Sequence, residues 1–181
     1  MAEKMGDSTA RYSKRLSLNP LDHIDPVGAL MILLFGIGFA RPVPINSYYF
    51  RDRKKGIILT SLAGPVSNIL LALVAMAAYK MLLVPYLLFG SRMMYGILQV
   101  VYFMISVNLS LAVFNLLPIP PLDGGKVLFA LLPERLYWTL LHYERYGILL
   151  VCALVFFGAL DGFLNTAISS VVSFIFGIML R

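Results

Sequence analysis

Four apolar runs, divided by short polar stretches, set the pattern of this chain. Met1 to Pro26 is polar. Val27 to Ala40 follows as 14 apolar residues, and Arg41 to Lys55 is polar again. Gly56 to Tyr79 and Met93 to Leu117 are each long enough to span a bilayer, which takes about 20 residues. Lys80 to Arg92 between them reads as a short connection, and Pro118 to Tyr146 is mixed. Gly147 to Leu180 is apolar apart from Asp161-Gly162. It predicts either one span plus a surface helix or two tilted helices, with a turn at Asp161. The run from Val27 to Ala40 is short for a span and suggests a re-entrant or interfacial segment. The expected fold is all-α: a polytopic integral membrane helix bundle with a re-entrant or short tilted segment, forming one domain over residues 1–181.

Composition agrees with lipid as the solvent. The chain is 60% hydrophobic and 13% charged, with a mean hydropathy of +0.84. Soluble domains are nearer half apolar and a quarter charged. The formal charge of +6 matters here through its position, because Lys and Arg favour cytoplasmic loops. Met1 to Pro26 holds Lys4, Arg11, Lys14 and Arg15. Arg41 to Lys55 holds Arg41, Arg51, Arg53, Lys54 and Lys55. If Val27 to Ala40 dips in and returns, both basic segments face the cytoplasm. A full crossing would put them on opposite sides, which the rule disfavours. No basic face separates from the apolar runs, so no nucleic-acid partner is expected. The single cysteine, Cys152, lies in an apolar run and has no internal disulfide partner. Met1 to Asp25 is polar and does not read as a signal peptide.

The strongest chemical signal is Asn115-Leu116-Leu117-Pro118-Ile119-Pro120-Pro121-Leu122-Asp123-Gly124-Gly125. Three prolines cannot continue a regular helix, and unwound backbone at membrane depth belongs where protein buries it or water reaches it. Gly124 and Gly125 permit a tight turn or a close approach. Such a segment would hold Asp123 as rigidly as a metal ligand must be held. Residue type alone leaves a second reading open, in which Asp123 caps a helix starting near Lys126. His23 lies between Asp22 and Asp25 and reads as a spare ligand or as a loop histidine bonded to Asp or backbone. His142 sits in a mixed amphipathic stretch and reads as interfacial.

Taken together, these stretches resemble the site-2 protease family of intramembrane zinc metalloproteases, in its compact bacterial branch. Asn115 to Gly125 is similar to the family's Asn…Pro-x-x-Asp-Gly motif. Ala63-Gly64-Pro65-Val66-Ser67-Asn68 is similar to its Gly-Pro-x-x-Asn element. Leu18 to Gly28 and Ala40 to Asn46 resemble further segments of that branch. The resemblance covers about Gly6 to past Tyr146, and four motifs in order make it specific. It implies that Asp123 is a zinc (Zn2+) ligand and that Asn115 steadies the substrate carbonyl or oxyanion. Asn68, Gly64, Pro65 and Gly124 would support the site, with His23 beside it. For Asn115 and Asn68, structural roles remain open: satisfying carbonyls freed by the proline break, and helix packing.

The family draws two zinc ligands and a catalytic Glu from a helical His-Glu-x-x-His, which this chain lacks. Met1 to Asp7 resembles the stretch that follows that helix, so the motif is expected a few residues before Met1. Glu3 has no flanking histidine and does not replace it. A late chain start explains the gap, and a natural inactive relative is the alternative. Two function classes follow. The first is a zinc endopeptidase of the bacterial cell membrane that cuts transmembrane substrates near the membrane face, with its missing ligands supplied from upstream. The second is a non-catalytic pseudoprotease or membrane scaffold that binds transmembrane helices.

Overall fold

The computed structural model describes residues 1–17, 19–35, 40–41, 43–133, 136, 146–147, 149–151, 153–154, 157–159 and 161–179. His142, Cys152 and Pro42 lie outside the described residues. Among the described residues all regular structure is helical. The chain divides into two compact units, Met1–Thr60 and Ser61–Arg181.

The first unit is built from short elements. A 3-10 turn, Ala2–Met5, ends at Gly6, whose φ of 112° is left-handed, and helix α1 is Thr9–Tyr12. The Met5 carbonyl accepts from the Arg51 N–H at 3.0 Å. Asp7, 1% exposed, ties the unit together. One carboxylate oxygen accepts from Asn46 N–H at 2.8 Å. The other accepts from Thr9 N–H at 2.9 Å and from the Thr9 hydroxyl. Burial, the largest single influence, pushes the Asp7 carboxyl up, but these hydrogen bonds together outweigh it and hold it below its ordinary value. A depressed carboxylate stabilises the fold above its unfolded pKa, near 4, and that stability is lost as pH falls through the lower folded value. Proteolysis within residues 1–50 is therefore expected to accelerate as pH drops below about 4. Asp7→Ala should abolish that dependence and destabilise the unit by about 1–3 kcal/mol at neutral pH, through the orphaned Asn46 N–H.

Helix α2, Pro26–Phe35, carries the short apolar run. Val27, Leu30, Ile32, Leu33 and Leu34 are all exposed, so side chains all around this helix lack protein cover. Before it, the His23 carbonyl accepts from the Arg41 N–H at 2.9 Å. The chain therefore returns to its starting point after the apolar excursion. Arg15 adds a guanidinium bond to the Asp22 carbonyl at 2.7 Å.

Helix α3, Arg53–Phe89, starts behind Asp52, whose carboxylate accepts from Lys55 N–H at 3.1 Å. Helix α4, Arg92–Asn115, follows after Gly90 and Ser91. Both are long and apolar enough to cross a membrane. The 37 residues of α3 extend about 55 Å at helical rise, well beyond a hydrocarbon core of about 30 Å. This corrects the expectation that Lys80 to Arg92 is a connection, since helix persists to Phe89 with Pro85 inside it. Packing across to α4 overrides the proline: Tyr79 meets Tyr102 and Tyr86 meets Tyr95, with ring centroids 6.5 and 6.0 Å apart.

The core of the second unit joins Ala72, Ala75 and Met76 of α3 to Ile105 and Leu109 of α4. The positions follow helical spacing, which turns one stripe of each helix inward. Helix α5 is Asp123–Leu131 and helix α6 is Asp161–Met179. Val171 and Val172 of α6 pack on the same core. A turn at residues 157–159 precedes α6, with Gly158 at φ 66°. Asp161 is thus the first residue of a helix rather than part of the turn.

Candidate metal-ligand site

The site is built where α4 ends. The Asn115 position closes α4, and Leu116 N–H still reaches the Ala112 carbonyl at 3.1 Å. Pro118 then stops helical bonding because it has no N–H to give. The backbone turns twice instead, with Ile119 N–H bonded to the Leu117 carbonyl at 2.8 Å and Leu122 N–H to the Ile119 carbonyl at 2.9 Å. The Pro120–Pro121 bond is cis. The loop folds back over the start of α5, where a Cβ on Gly124 would strike the Leu116 carbonyl and stand 2.5 Å from the Leu117 oxygen.

Asp123 opens α5, with Leu122 in the cap position and no side-chain cap bond. The helix therefore begins at Asp123 and not near Lys126, and the carboxylate is not used as a cap. Its first-turn position suits the positive end of the helix dipole. The side chain is 28% exposed, with Lys126 Nζ 3.6 Å from one oxygen. Burial pushes the Asp123 carboxyl above its ordinary value, and Lys126 opposes that shift. The other oxygen faces Gly64 of α3, where an added Cβ would lie 3.2 Å away. The absent side chain at Gly64 lets α3 pack this closely against the carboxylate.

Pro65 is buried beside Gly64. It has no N–H for the Ser61 carbonyl one turn earlier. Ser67 donates its hydroxyl to the Gly64 carbonyl at 2.7 Å. Asn68 is half-buried one turn further along the Gly64 face, since residues four apart share a helix face. Asn115 is half-buried at the end of α4. The fold thus brings Gly64 of α3 to Asp123, while Gly124 is the sequence neighbour of Asp123 on α5. His23 belongs to the first unit, where its Nε2 lies 2.8 Å from the Ser17 carbonyl. Two neighbours escaped the sequence reading. Lys126 pairs with Asp123, and the i, i+3 spacing was the available signal. At Gly147 a Cβ would stand 2.7 Å from the Pro120 carbonyl carbon, a long-range approach that the sequence does not signal.

As a metal site the described residues are incomplete. No group of three or more His, Cys, Asp or Glu side chains comes together among them. A catalytic zinc takes three protein ligands and one open position, and one carboxylate does not meet that requirement.

Residues 80–158 match the profile of peptidase family M50. The chain is 39% identical over 160 residues to the Bacillus subtilis (strain 168) protein named "Putative zinc metalloprotease YwhC", covering 85% of this chain and 70% of that one. The chain belongs to peptidase family M50, the site-2 protease family. It is also 32% identical over 168 residues to Rip2 of Mycolicibacterium smegmatis, covering 88% of this chain and 61% of that protein. Against MJ0611 of Methanocaldococcus jannaschii it is 38% identical over 108 residues, covering 56% of this chain and 49% of the relative. Both carry the same zinc-metalloprotease designation. The chain thus spans between about half and 70% of the lengths of these relatives. No solved structure is significantly similar to it.

Proposed function

We propose that this chain forms the membrane-embedded part of a zinc endopeptidase that cleaves transmembrane substrates near the membrane face. The observation that carries the reading is Asp123: a half-buried carboxylate, free of capping duty, packed against Gly64 of α3, where a side chain would crowd it. Asp123 supplies one zinc ligand, and the other protein ligands come from a His-Glu-x-x-His segment. Zinc, when bound, would lower the pKa of its water and polarise the scissile carbonyl. The residues of this chain do the positioning. Gly124 lets the proline loop close over α5. Gly64, with the buried Pro65 beside it, lets α3 pack against the carboxylate, and Asn68 supports that face. Asn115 offers an uncharged amide to the substrate carbonyl or oxyanion.

The relatives' designation and the two span-length helices support this reading. The proposed setting is a bacterial cell membrane, with the basic segments cytoplasmic and α2 dipping into the lipid. The closure of His23 on Arg41 supports a segment that leaves and returns on one side.

The test is cleavage of a transmembrane substrate in proteoliposomes, using a form of the protein that carries a His-Glu-x-x-His segment. Cleavage should stop on removal of zinc by a chelator and resume when about one equivalent per chain is returned, as expected for a single catalytic site. Cleavage that persists in metal-free protein would overturn the proposal.

A further inference from the structure

Away from the Asp123 segment, a cavity of about 220 Å3 opens between α3 and α4. Its walls include Tyr79 and Tyr86 from α3 and Tyr95 and Tyr102 from α4, with Leu98 and Gln99 between the α4 tyrosines. Tyr79 meets Tyr102 at a centroid distance of 6.5 Å with ring planes 55° apart, and Tyr86 meets Tyr95 at 6.0 Å and 37°. On each helix the two tyrosines are seven residues apart, which helical rise makes about 10 Å. The cavity therefore lies between two aromatic layers. Four aromatic rings thus line one small space, and aromatic rings attract a cation that comes within about 6 Å of a ring face.

The chemistry of the walls selects among cations. No carboxylate is among the described lining residues, so a metal ion or a primary ammonium would lose its water without receiving anionic oxygen in return. A quaternary ammonium has no N–H to satisfy, and ring faces are its characteristic recognition surface. The volume is below the roughly 300–1,000 Å3 of pockets for drug-sized ligands, which suits a headgroup fragment. Arg92 is exposed at the start of α4, three residues before Tyr95. Residues at that spacing neighbour each other on a helix, so a guanidinium stands ready for a phosphate next to the cage. The cavity sits toward the Gly90–Ser91 turn, at one end of both span-length helices. Tyrosine concentrates at that depth in membrane proteins.

We propose that this cavity binds the trimethylammonium group of choline compounds, carried on a phosphocholine lipid headgroup or on a free solute. Calorimetric titration of the purified full chain in maltoside detergent tests it, with choline as one probe and its neutral tert-butyl analogue as the other. Choline should bind at least about tenfold tighter than the analogue. Tyr86→Leu should weaken choline about tenfold, whereas Tyr86→Phe, which keeps the ring, should stay within about twofold. Equal binding of the two probes would reduce the site to an apolar gap, and an absence of choline binding would refute it outright. Because that comparison uses the unaltered chain, it decides the matter even if Tyr86→Leu does not fold. Protection of the chain in phosphocholine vesicles, with no protection in phosphoglycerol vesicles, identifies a lipid as the source. Choline binding without vesicle protection identifies a free solute.

Discussion

Asp123→Asn is expected to remove zinc and abolish cleavage in a form of the protein that carries His-Glu-x-x-His, while leaving the fold intact. The amide keeps the volume of the carboxylate, so the contact with Gly64 and the start of α5 persist. What disappears is the anionic carboxylate oxygen that an Asp offers to zinc, which a neutral amide replaces poorly. Outer-shell partners of metal ligands cost about 10–100-fold in affinity or activity when mutated, and loss of a direct ligand should exceed that range. The stability side of the prediction is small by construction. The substitution relieves the burial of a charge, and it breaks the pairing with Lys126, whose side chain is 42% exposed. Exposed pairs of that kind contribute about 0–1 kcal/mol. Zinc content by elemental analysis and unfolding temperature in detergent should therefore separate, with the first collapsing and the second nearly unchanged. An Asp123→Asn protein that cleaves at the normal rate would remove Asp123 from the site.

Gly124→Ala is expected to do the reverse, harming the fold first and activity through it. The added methyl meets backbone on the proline loop: the carbonyl groups of Leu116 and Leu117. A flexible side chain moves aside cheaply, whereas a backbone held by the bonds from Leu117 N–H to Phe114 at 3.1 Å and from Ile119 N–H to Leu117 at 2.8 Å does not. Overpacking of this kind costs about 1–3 kcal/mol. The loop must lift from α5, and Asp123 shifts with it. Unfolding temperature should fall, and zinc binding should weaken in parallel in the form competent for it. Gly96→Ala is the internal control, because nothing lies within 4 Å of a Cβ there, and it should leave stability unchanged or slightly higher. Equal stability of Gly124→Ala and the parent chain would show that the loop does not press on α5.

Much of the architecture was legible in the pattern alone. Runs of apolar residues long enough to span, broken by Arg and Lys clusters, mark α3 and α4 because lipid tolerates neither charge nor unpaired backbone. The end of α4 was equally legible, since Pro118 cannot donate and the helix must stop beside it. The failures share a cause. Lys80 to Phe89 contains a lysine and Pro85, and local propensity argues for a break. Yet the segment is helical to Phe89, and its Tyr86 packs on Tyr95 of another helix. The alternative reading, with Asp123 capping a helix that starts near Lys126, also fails, because the turns after Pro118 bring the backbone into helix by Asp123.

By itself, the sequence determined the family and the span-length apolar helices and singled out Asp123 as the candidate ligand, because motif order, run length and residue chemistry are properties of the chain taken one segment at a time. Only the tertiary structure decided what surrounds Asp123, namely the close contact with Gly64, the pairing with Lys126 and the loop pressed on Gly124 and Gly147, and it alone set the tyrosines of α3 against those of α4. The physical reason is range. Helix and break follow from neighbours within a turn, whereas close backbone approach and a shared cavity depend on segments tens of residues apart, whose meeting is set by how the helices pack.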